Sequence, residues 1–336
     1  MRSISGIFSL ITEPKNIVIT FHQKPDGDAM GSGLGLYNFL IQFGHSVTVI
    51  SPTNWASFLK WMPGAKQVID FEMQNEKAMK ALKSAEWLFC LDFNVLSRTR
   101  KMEPVLQELT CTKILIDHHQ QPQEEAFDFG ISDTSKSSTA EMVYDLIISS
   151  GHDDKINTAI AECLYAGVMT DTGSFRFNST TADVHRMVAR LKETKFDHSK
   201  VHENLFDNFL ESRFRFFGNT LLNRMEIFYE YNTALIAIPQ QDLIKFNVKT
   251  GDTEGLVNFP LSIKGIKLAA VIIDRGDERK SSFRSKGGFD VNTFARKYFN
   301  GGGHFNAAGG KNNEPIEEVI KKFKEAIKEN KEQLNS

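Results

Sequence analysis

Four short apolar runs, at residues 17–21, 47–50, 87–91 and 114–116, punctuate the first third of the chain, and helix-length segments separate them. Each run is continuous rather than alternating, the pattern of a strand covered on both faces. Strands that alternate with helices are joined by crossovers, so they run parallel. The expected fold class is therefore α/β: an N-terminal parallel-sheet domain with helices on both faces. The spacing predicts a helix over 31–43 and another over 155–169, the latter with Ile156, Ile160, Cys163, Leu164 and Gly167 on one face. Ile4, Ile7, Phe8 and Ile11 have helical spacing but are broken by serines, which suits a short docking helix better than a signal peptide.

The segment 183–224 is rich in charge and phenylalanine and reads as helical. Beyond it, residues 234–238, 266–273 and 281–285 read as strands, and 254–263 as a helix. Asp290 is placed to cap a helix carrying Val291, Phe294, Ala295 and Tyr298 that stops at Gly301. Ile316, Val319, Ile320, Phe323 and Ile327 mark a terminal amphipathic helix. The expected organisation is a domain over 1–190, a helical linker over 191–224 and a smaller α/β domain with a mixed sheet over 225–336. A chain of 336 residues accommodates two such domains.

Ligands of an open parallel sheet bind beyond the carboxyl ends of its strands. After the first run come His22, Asp26 and Asp28; after the third, Asp92; after the fourth, Asp117, His118 and His119; after the 155–169 helix, Asp171. Any one of these carboxylates taken alone reads better as a turn former or helix cap. Converging on one edge, they would repel one another unless cations neutralised them. Asp26, Asp28, Asp92 and Asp171 balance two divalent ions, with His22 and His118 as neutral ligands and one carboxylate shared. Mixed carboxylate and imidazole donors suit two Mn²⁺, with Co²⁺ or Mg²⁺ as substitutes. Such a pair can hold a hydroxide and clamp a phosphoryl oxygen.

The loop AMGSGLG fails the dinucleotide fingerprint because Leu36 stands where the third glycine belongs. Gly31, Ser32 and Gly33 are instead expected to offer backbone amides at a helix start, with Ser32 contacting an anion. A second cluster, GGGHFNAAGG from Gly301, reads as a flexible turn displaying His304; the basic segment RGDERKSSFRSK from Arg275 leads to it. The outer Arg275, Arg279 and Lys280 read equally well as a solvated hairpin tip; Arg284 and His304 are the better candidates for function.

The strings HQKPDGDAMGS, LDFN, IDHH and DTGSF resemble the metal-binding motifs of the DHH phosphoesterases, and GGGHFNAAGG resembles the signature of the domain usually attached to them. The short two-domain layout is similar to the nanoRNase/pAp-phosphatase branch. The resemblance implies a cleft between the domains. It implies that His22, Asp26 and Asp92 hold one ion, and that Asp28, Asp92, His118 and Asp171 hold the other. Asp117 would orient a histidine, His119 would help the leaving oxygen depart, and Ser281, Arg284, Gly302, Gly303 and His304 would grip the far phosphate. Lys24 stands where that family usually has Asn, and Arg98 is left without a role.

The function so implied is metal-dependent hydrolysis of short single-stranded RNA and of 3′-phosphoadenosine 5′-phosphate. The alternatives are a cyclic-di-AMP or linear-dinucleotide phosphodiesterase, a polyphosphatase or pyrophosphatase, and, outside catalysis, an RNA-binding module. Phe283 and Phe305 could offer a base-stacking surface, which a pyrophosphatase would not need. A net charge of −2 argues against duplex DNA as a partner. No run of about 18 apolar residues suggests a membrane span. Cys90, Cys111 and Cys163 are widely spaced, which suits a reducing cytoplasm. A homodimer is compatible with the sequence.

Overall fold

The computed structural model describes residues 1–336, which form two compact units, Met1–Asn208 and Phe209–Ser336. In chain order, the first unit carries strands β1 (Arg2–Ser3), β2 (Asn16–Phe21), β3 (Ser46–Ser51), β4 (Ile69–Asp70), β5 (Trp87–Leu91), β6 (Thr112–Asp117) and β7 (Phe129–Ser132). Its helices are α1 (Gly27–Leu40), α2 (Asn75–Lys83), α3 (Glu103–Glu108), α4 (Thr139–Ser149), α5 (Thr158–Asp171), α6 (Ala182–Lys192) and α7 (His198–Phe206).

The strands form one parallel sheet in the order β1-β7-β6-β5-β2-β3-β4. The chain leaves β2 towards β3 and β4, then returns to lay β5 on the other side of β2. That reversal opens a crevice at the carboxyl ends of β2 and β5, where sheets of this kind hold ligands. Successive strand residues point to opposite faces. Ile17, Ile19, Phe89, Leu91, Ile114 and Ile116 pack against the α1, α4 and α5 side, while Val18, Leu88, Cys90 and Leu115 pack against the α2 and α3 side. This two-sided burial explains the continuous apolar runs.

The second unit carries α8 (Glu211–Asn223), β8 (Met225–Phe228), β9 (Thr233–Ile238), α9 (Gln240–Lys245), α10 (Asn258–Leu261), β10 (Leu268–Asp274), β11 (Arg279–Ser285), α11 (Val291–Tyr298), β12 (Gly302–His304), β13 (Ala307–Asn312), α12 (Ile316–Glu329) and α13 (Lys331–Asn335). Its sheet is mixed, ordered β12-β13-β11-β10-β9-β8, with only β9 and β10 parallel. One face packs Phe283 on Phe294, Phe299 and Phe323; the other packs Phe216, Ile236 and Val271. No helix is long and apolar enough to cross a membrane.

Several expectations are corrected. The expected 254–263 helix is only the short α10, and β1, β4, β7, β8, β12 and β13 are strands beyond the expected ones. The N-terminal segment is a 3₁₀ helix over Ile4–Leu10, with Ile4 and Ile7 buried. The glycine segment before His304 is not a flexible turn but strand β12 of a hairpin with β13. The largest correction concerns α1, which begins at Gly27 rather than Gly31 because Asp26 caps it: Asp26 Oδ1 accepts the amides of Asp28 and Ala29 at 3.0 and 3.1 Å.

Gly31 therefore lies inside α1, against α5. A Cβ there would stand 2.5 Å from the Cys163 carbonyl oxygen and 2.8 Å from the Gly167 nitrogen, both backbone atoms that cannot swing away. Gly31→Ala is expected to lower unfolding stability by about 2 kcal/mol through overpacking. Gly218→Ala, on the exposed side of α8 with open space around it, should raise stability by about 0.5–1 kcal/mol. Chemical denaturation of the two variants measures both; equal behaviour would show that the α1–α5 contact is not tight.

Candidate functional site

The carboxyl ends of β2, β5 and β6 and the C-terminus of α5 bring His22, Asp26, Asp28, Asp92, His118 and Asp171 together within the first unit. Asp92 follows β5 directly and is almost fully buried, at 2% exposure. Its backbone is left-handed, with φ +60°, an uncommon conformation for a side-chain-bearing residue. Asp92 Oδ2 lies 3.3 Å from His22 Nε2, and Oδ1 lies 3.5 Å from His118 Nε2. One carboxylate thus presents a different oxygen to each imidazole.

Both imidazoles are held in the tautomer a metal requires. His22 Nδ1 is 2.8 Å from the Gln23 carbonyl and His118 Nδ1 is 3.4 Å from the Lys136 carbonyl. A carbonyl only accepts, so each Nδ1 carries the hydrogen and each Nε2 is directed at the carboxylates. His118 Nε2 also lies 3.3 Å from Asp171 Oδ2 and 3.8 Å from Asp28 Oδ2, and His22 Nε2 lies 3.8 Å from Asp26 Oδ2. Donor atoms of His22, Asp26 and Asp92 lie within 4.8 Å of one another, as do those of Asp28, Asp92 and His118, and of Asp92, Asp117 and His119. Oxygen and imidazole donors in groups of three, two of the groups joined through both oxygens of one carboxylate, fit a pair of divalent ions.

The electrostatics point the same way. Burial, then the charges of Asp92 and Asp171, push Asp28 well above the carboxylate range. Burial also pushes Asp171 up to about 8, with Asp26 and Asp92 adding to it against His118. Burial would raise Asp92 too, but hydrogen bonds with His118 and His22 hold it well below its ordinary value. Burial works against the His118 cation, yet the surrounding Asp92, Asp171 and Asp28 lift it to about 10. Without metal, the cage offsets its own negative charge by retaining protons.

Asp117 is fully buried and accepts from the His119 ring at 2.7 Å (Nδ1 to Oδ1) and from the His119 backbone amide at 3.1 Å. Arg98 sits half-buried in the 3₁₀ helix Leu96–Met102 that follows β5. Its carbonyl accepts the Gln23 amide at 2.9 Å, and its charge opposes protonation of both His22 and His119.

The α4 N-terminus was not among the expected site elements. Asp28 is fully buried, and both its oxygens are taken by amides of that helix: Thr139 N–H donates to Oδ2 at 2.7 Å and Ala140 N–H to Oδ1 at 2.9 Å. The Thr139 hydroxyl donates to Asp92 Oδ1 at 3.3 Å. Gly167 makes room for this arrangement, since a Cβ there would come 2.9 Å from Asp28 Oδ1. A signal did exist. Ser138 and Glu141 have the spacing of a capping box, and Ser138 Oγ accepts the Glu141 amide at 3.0 Å.

Three substrate-side expectations are corrected. Ser32 is buried within α1 and its hydroxyl donates to the Ala29 carbonyl at 3.3 Å, so it meets no anion. Ser281 is buried on the face of β11 that carries Phe283, opposite Arg284, because the two are three residues apart in a strand. Phe283 itself is core and offers no stacking surface; Phe305 is 43% exposed.

Arg284 and His304 both pair with Ala307, one from each side, so they share one row and one face of the sheet. Gly302 and Gly303 precede His304 on β12, and Asn292 Oδ1 accepts the Gly303 amide at 2.9 Å and Arg296 Nε at 3.1 Å. Arg279 pairs with Asp274 at 3.4 Å, which neutralises part of the basic tip locally, while Lys311 of β13 pairs with Glu278 at 3.0 Å.

The sequence profile of the DHH family, N-terminal domain, matches residues 16–168, and that of the DHHA1 domain matches residues 232–332. The chain is 31% identical to the bifunctional oligoribonuclease and PAP phosphatase NrnA of Bacillus subtilis, covering 87% of this chain and 88% of that protein. It is 30% identical to the protein of the same name from Thermus thermophilus, over 92% and 87% of the two chains. Among solved structures, an exopolyphosphatase-related protein from Bacteroides fragilis superposes with a TM-score of 0.93 at 38% identity, covering 98% of this chain and 97% of that one.

Ions entering the cage need a neutral His118 and ionised carboxylates, so they must displace the protons held there. With His118 at about 10, Asp171 at about 8 and Asp28 also raised, Mn²⁺ binding at pH 7.5 should release about one proton or more per chain. Affinity should rise with pH across the neutral range, because fewer protons remain to be displaced. Titration calorimetry in buffers of different ionisation heat measures the release; a heat independent of the buffer would contradict it.

Proposed function

Because the chain belongs to the DHH family and is a phosphoesterase, we propose that it hydrolyses short oligoribonucleotides and 3′-phosphoadenosine 5′-phosphate, using divalent ions held at the β2–β5 crevice. His22, Asp26 and Asp92 would hold one ion, and Asp28, Asp92, His118 and Asp171 the other. Mn²⁺ is the ion that best suits this mixed donor set. The observation that carries the reading is Asp92, whose two oxygens face two imidazoles from a strained, buried position. When bound, the ions would supply Lewis acidity towards a phosphoryl oxygen and a hydroxide source near neutral pH.

The protein's own groups do the rest. Asp117 fixes the His119 ring through Nδ1, which leaves Nε2 to pass a proton to the departing oxygen. Burial keeps the His119 pKa low, so Nε2 would rest unprotonated, take up a proton from solvent and hand it on readily to the departing oxygen. Arg98 supplies a cation close to the cage for the reacting phosphate. In the second unit, the Arg284–His304 row binds a further phosphate, and the exposed Phe305 ring offers a base a stacking surface.

A second reading, hydrolysis of polyphosphate, is favoured by the likeness to the exopolyphosphatase-related protein. Such a substrate has no base to stack on Phe305, so a panel of pAp, dinucleotide, cyclic di-AMP and polyphosphate ranks the readings directly. The proposal expects pAp and dinucleotide to lead.

Asp92→Asn should reduce turnover of both leading substrates by about 1,000-fold or more, because it disables the group shared by both ion sites. Its circular dichroism spectrum should stay native. Retention of more than a tenth of wild-type turnover would refute the assignment. Arg98→Ala and Arg284→Ala should each raise KM about 10-fold or more, the scale of a lost charge-assisted hydrogen bond. Unchanged KM values for pAp would remove these two residues from the substrate site.

A further inference from the structure

We propose that Thr139 is the positioning residue that ties Asp28 and Asp92 into a single metal-binding arrangement, its amide fixing one carboxylate and its hydroxyl the other. The proposal rests on the reading of the crevice as a metal centre and adds to it a residue outside the ligand set.

The first amides of a helix have no partner within it. In α4 each finds a specific one. Thr139 and Ala140 donate to the two oxygens of Asp28, and Glu141 donates to Ser138 Oγ. The Glu141 side chain turns back to accept the Ser137 amide at 2.8 Å and the Ser137 hydroxyl at 2.7 Å. Ser137, Ser138, Thr139 and Glu141 are all buried, at 4% exposure or less, so water does not compete for these bonds. The start of α4 is therefore locked, and Thr139 is locked with it.

The Thr139 hydroxyl meets Asp92 at Oδ1, the oxygen that faces His118. Asp28, Asp92 and His118 form one of the compact donor groups, and Thr139 touches both of its carboxylates. Asp92 needs such a tether. It is the residue shared with the His22 side, and rotation of its carboxylate would exchange the oxygens between the two imidazoles. A hydrogen bond from a rigid helix start fixes one orientation and leaves the remaining lone pairs for metal.

Thr139→Val removes only the hydroxyl and keeps the shape and the amide, and Thr139→Ser restores the hydroxyl. Full-length apo-proteins are titrated with MnCl₂ by calorimetry, and bound Mn²⁺ is followed by electron paramagnetic resonance. The expected result is that Thr139→Val weakens one of two Mn²⁺ equivalents about 10-fold or more. The other equivalent should be much less affected, and Thr139→Ser should recover wild-type binding. Thermal unfolding of each apo-protein separates this from a folding defect, and Thr139→Ala serves if the valine variant is unstable. Two Mn²⁺ bound by Thr139→Val (or Thr139→Ala) with wild-type affinity would overturn the tether while leaving the metal centre standing. Failure of the wild type to bind Mn²⁺ would overturn both.

Discussion

Mutual repulsion among buried carboxylates is the constraint that organises this molecule. Asp28 and Asp92 lie out of water within reach of each other and of Asp171, at the carboxyl edge of a sheet whose strands all point the same way. A fold that gathers so much negative charge must supply positive partners from elsewhere. Here the fixed partners are backbone amides and imidazoles. The α4 amides serve Asp28, His22 and His118 flank Asp92, and a capped α1 start serves Asp26. Each of these is a dipole or a titratable ring rather than a permanent cation, so the cage is left with capacity for ions.

The scaffold beneath the cage is built to bring helices unusually close. Gly31 on α1 meets the Cys163–Gly167 turn of α5, and Gly167 in turn leaves space beneath the Asp28 carboxylate and the start of α4. Three helices on one face of the sheet thus converge under a single side chain. A side chain at Gly31 would part α1 from α5, and one at Gly167 would push against Ala140 of α4 and the Asp28 carboxylate. The small residues of the AMGSGLG string consequently serve the carboxylate–imidazole cage through packing, although as a sequence they resemble a phosphate-binding loop.

That string shows where the sequence is legible and where it is not. The parallel sheet was readable because burial on both faces leaves continuous apolar runs, and the residues following those runs identify the edge where chemistry collects. The start of α1 was misread because an aspartate that caps a helix and an aspartate that could bind metal look alike in sequence; Asp26 is placed for both. Ser281 was misplaced although the spacing was legible: three residues from Arg284 in a strand, it must face the other way. The α4 amides were invisible in principle as ligand-holders, since they are backbone groups and any residue carries them. Only the Ser138–Glu141 spacing pointed to the helix start that aims them.

The left-handed backbone at Asp92 completes the picture. A conformation that costs of order 1–3 kcal/mol persists only where its surroundings over-determine it. Here the Asp92 amide still donates to Ile116 at 3.1 Å, continuing the β5–β6 ladder past the end of the strand, while the side chain is held by Thr139, His22 and His118. The ladder dictates where the backbone goes and the cage dictates where the carboxylate goes, and the two demands are met together at φ +60°. In an ordinary turn that strain would be relieved by glycine or asparagine. It is retained at a residue whose carboxylate oxygens face two imidazoles, so the strain and the two-sided geometry have one cause: the sheet edge must deliver a single carboxylate to both rings.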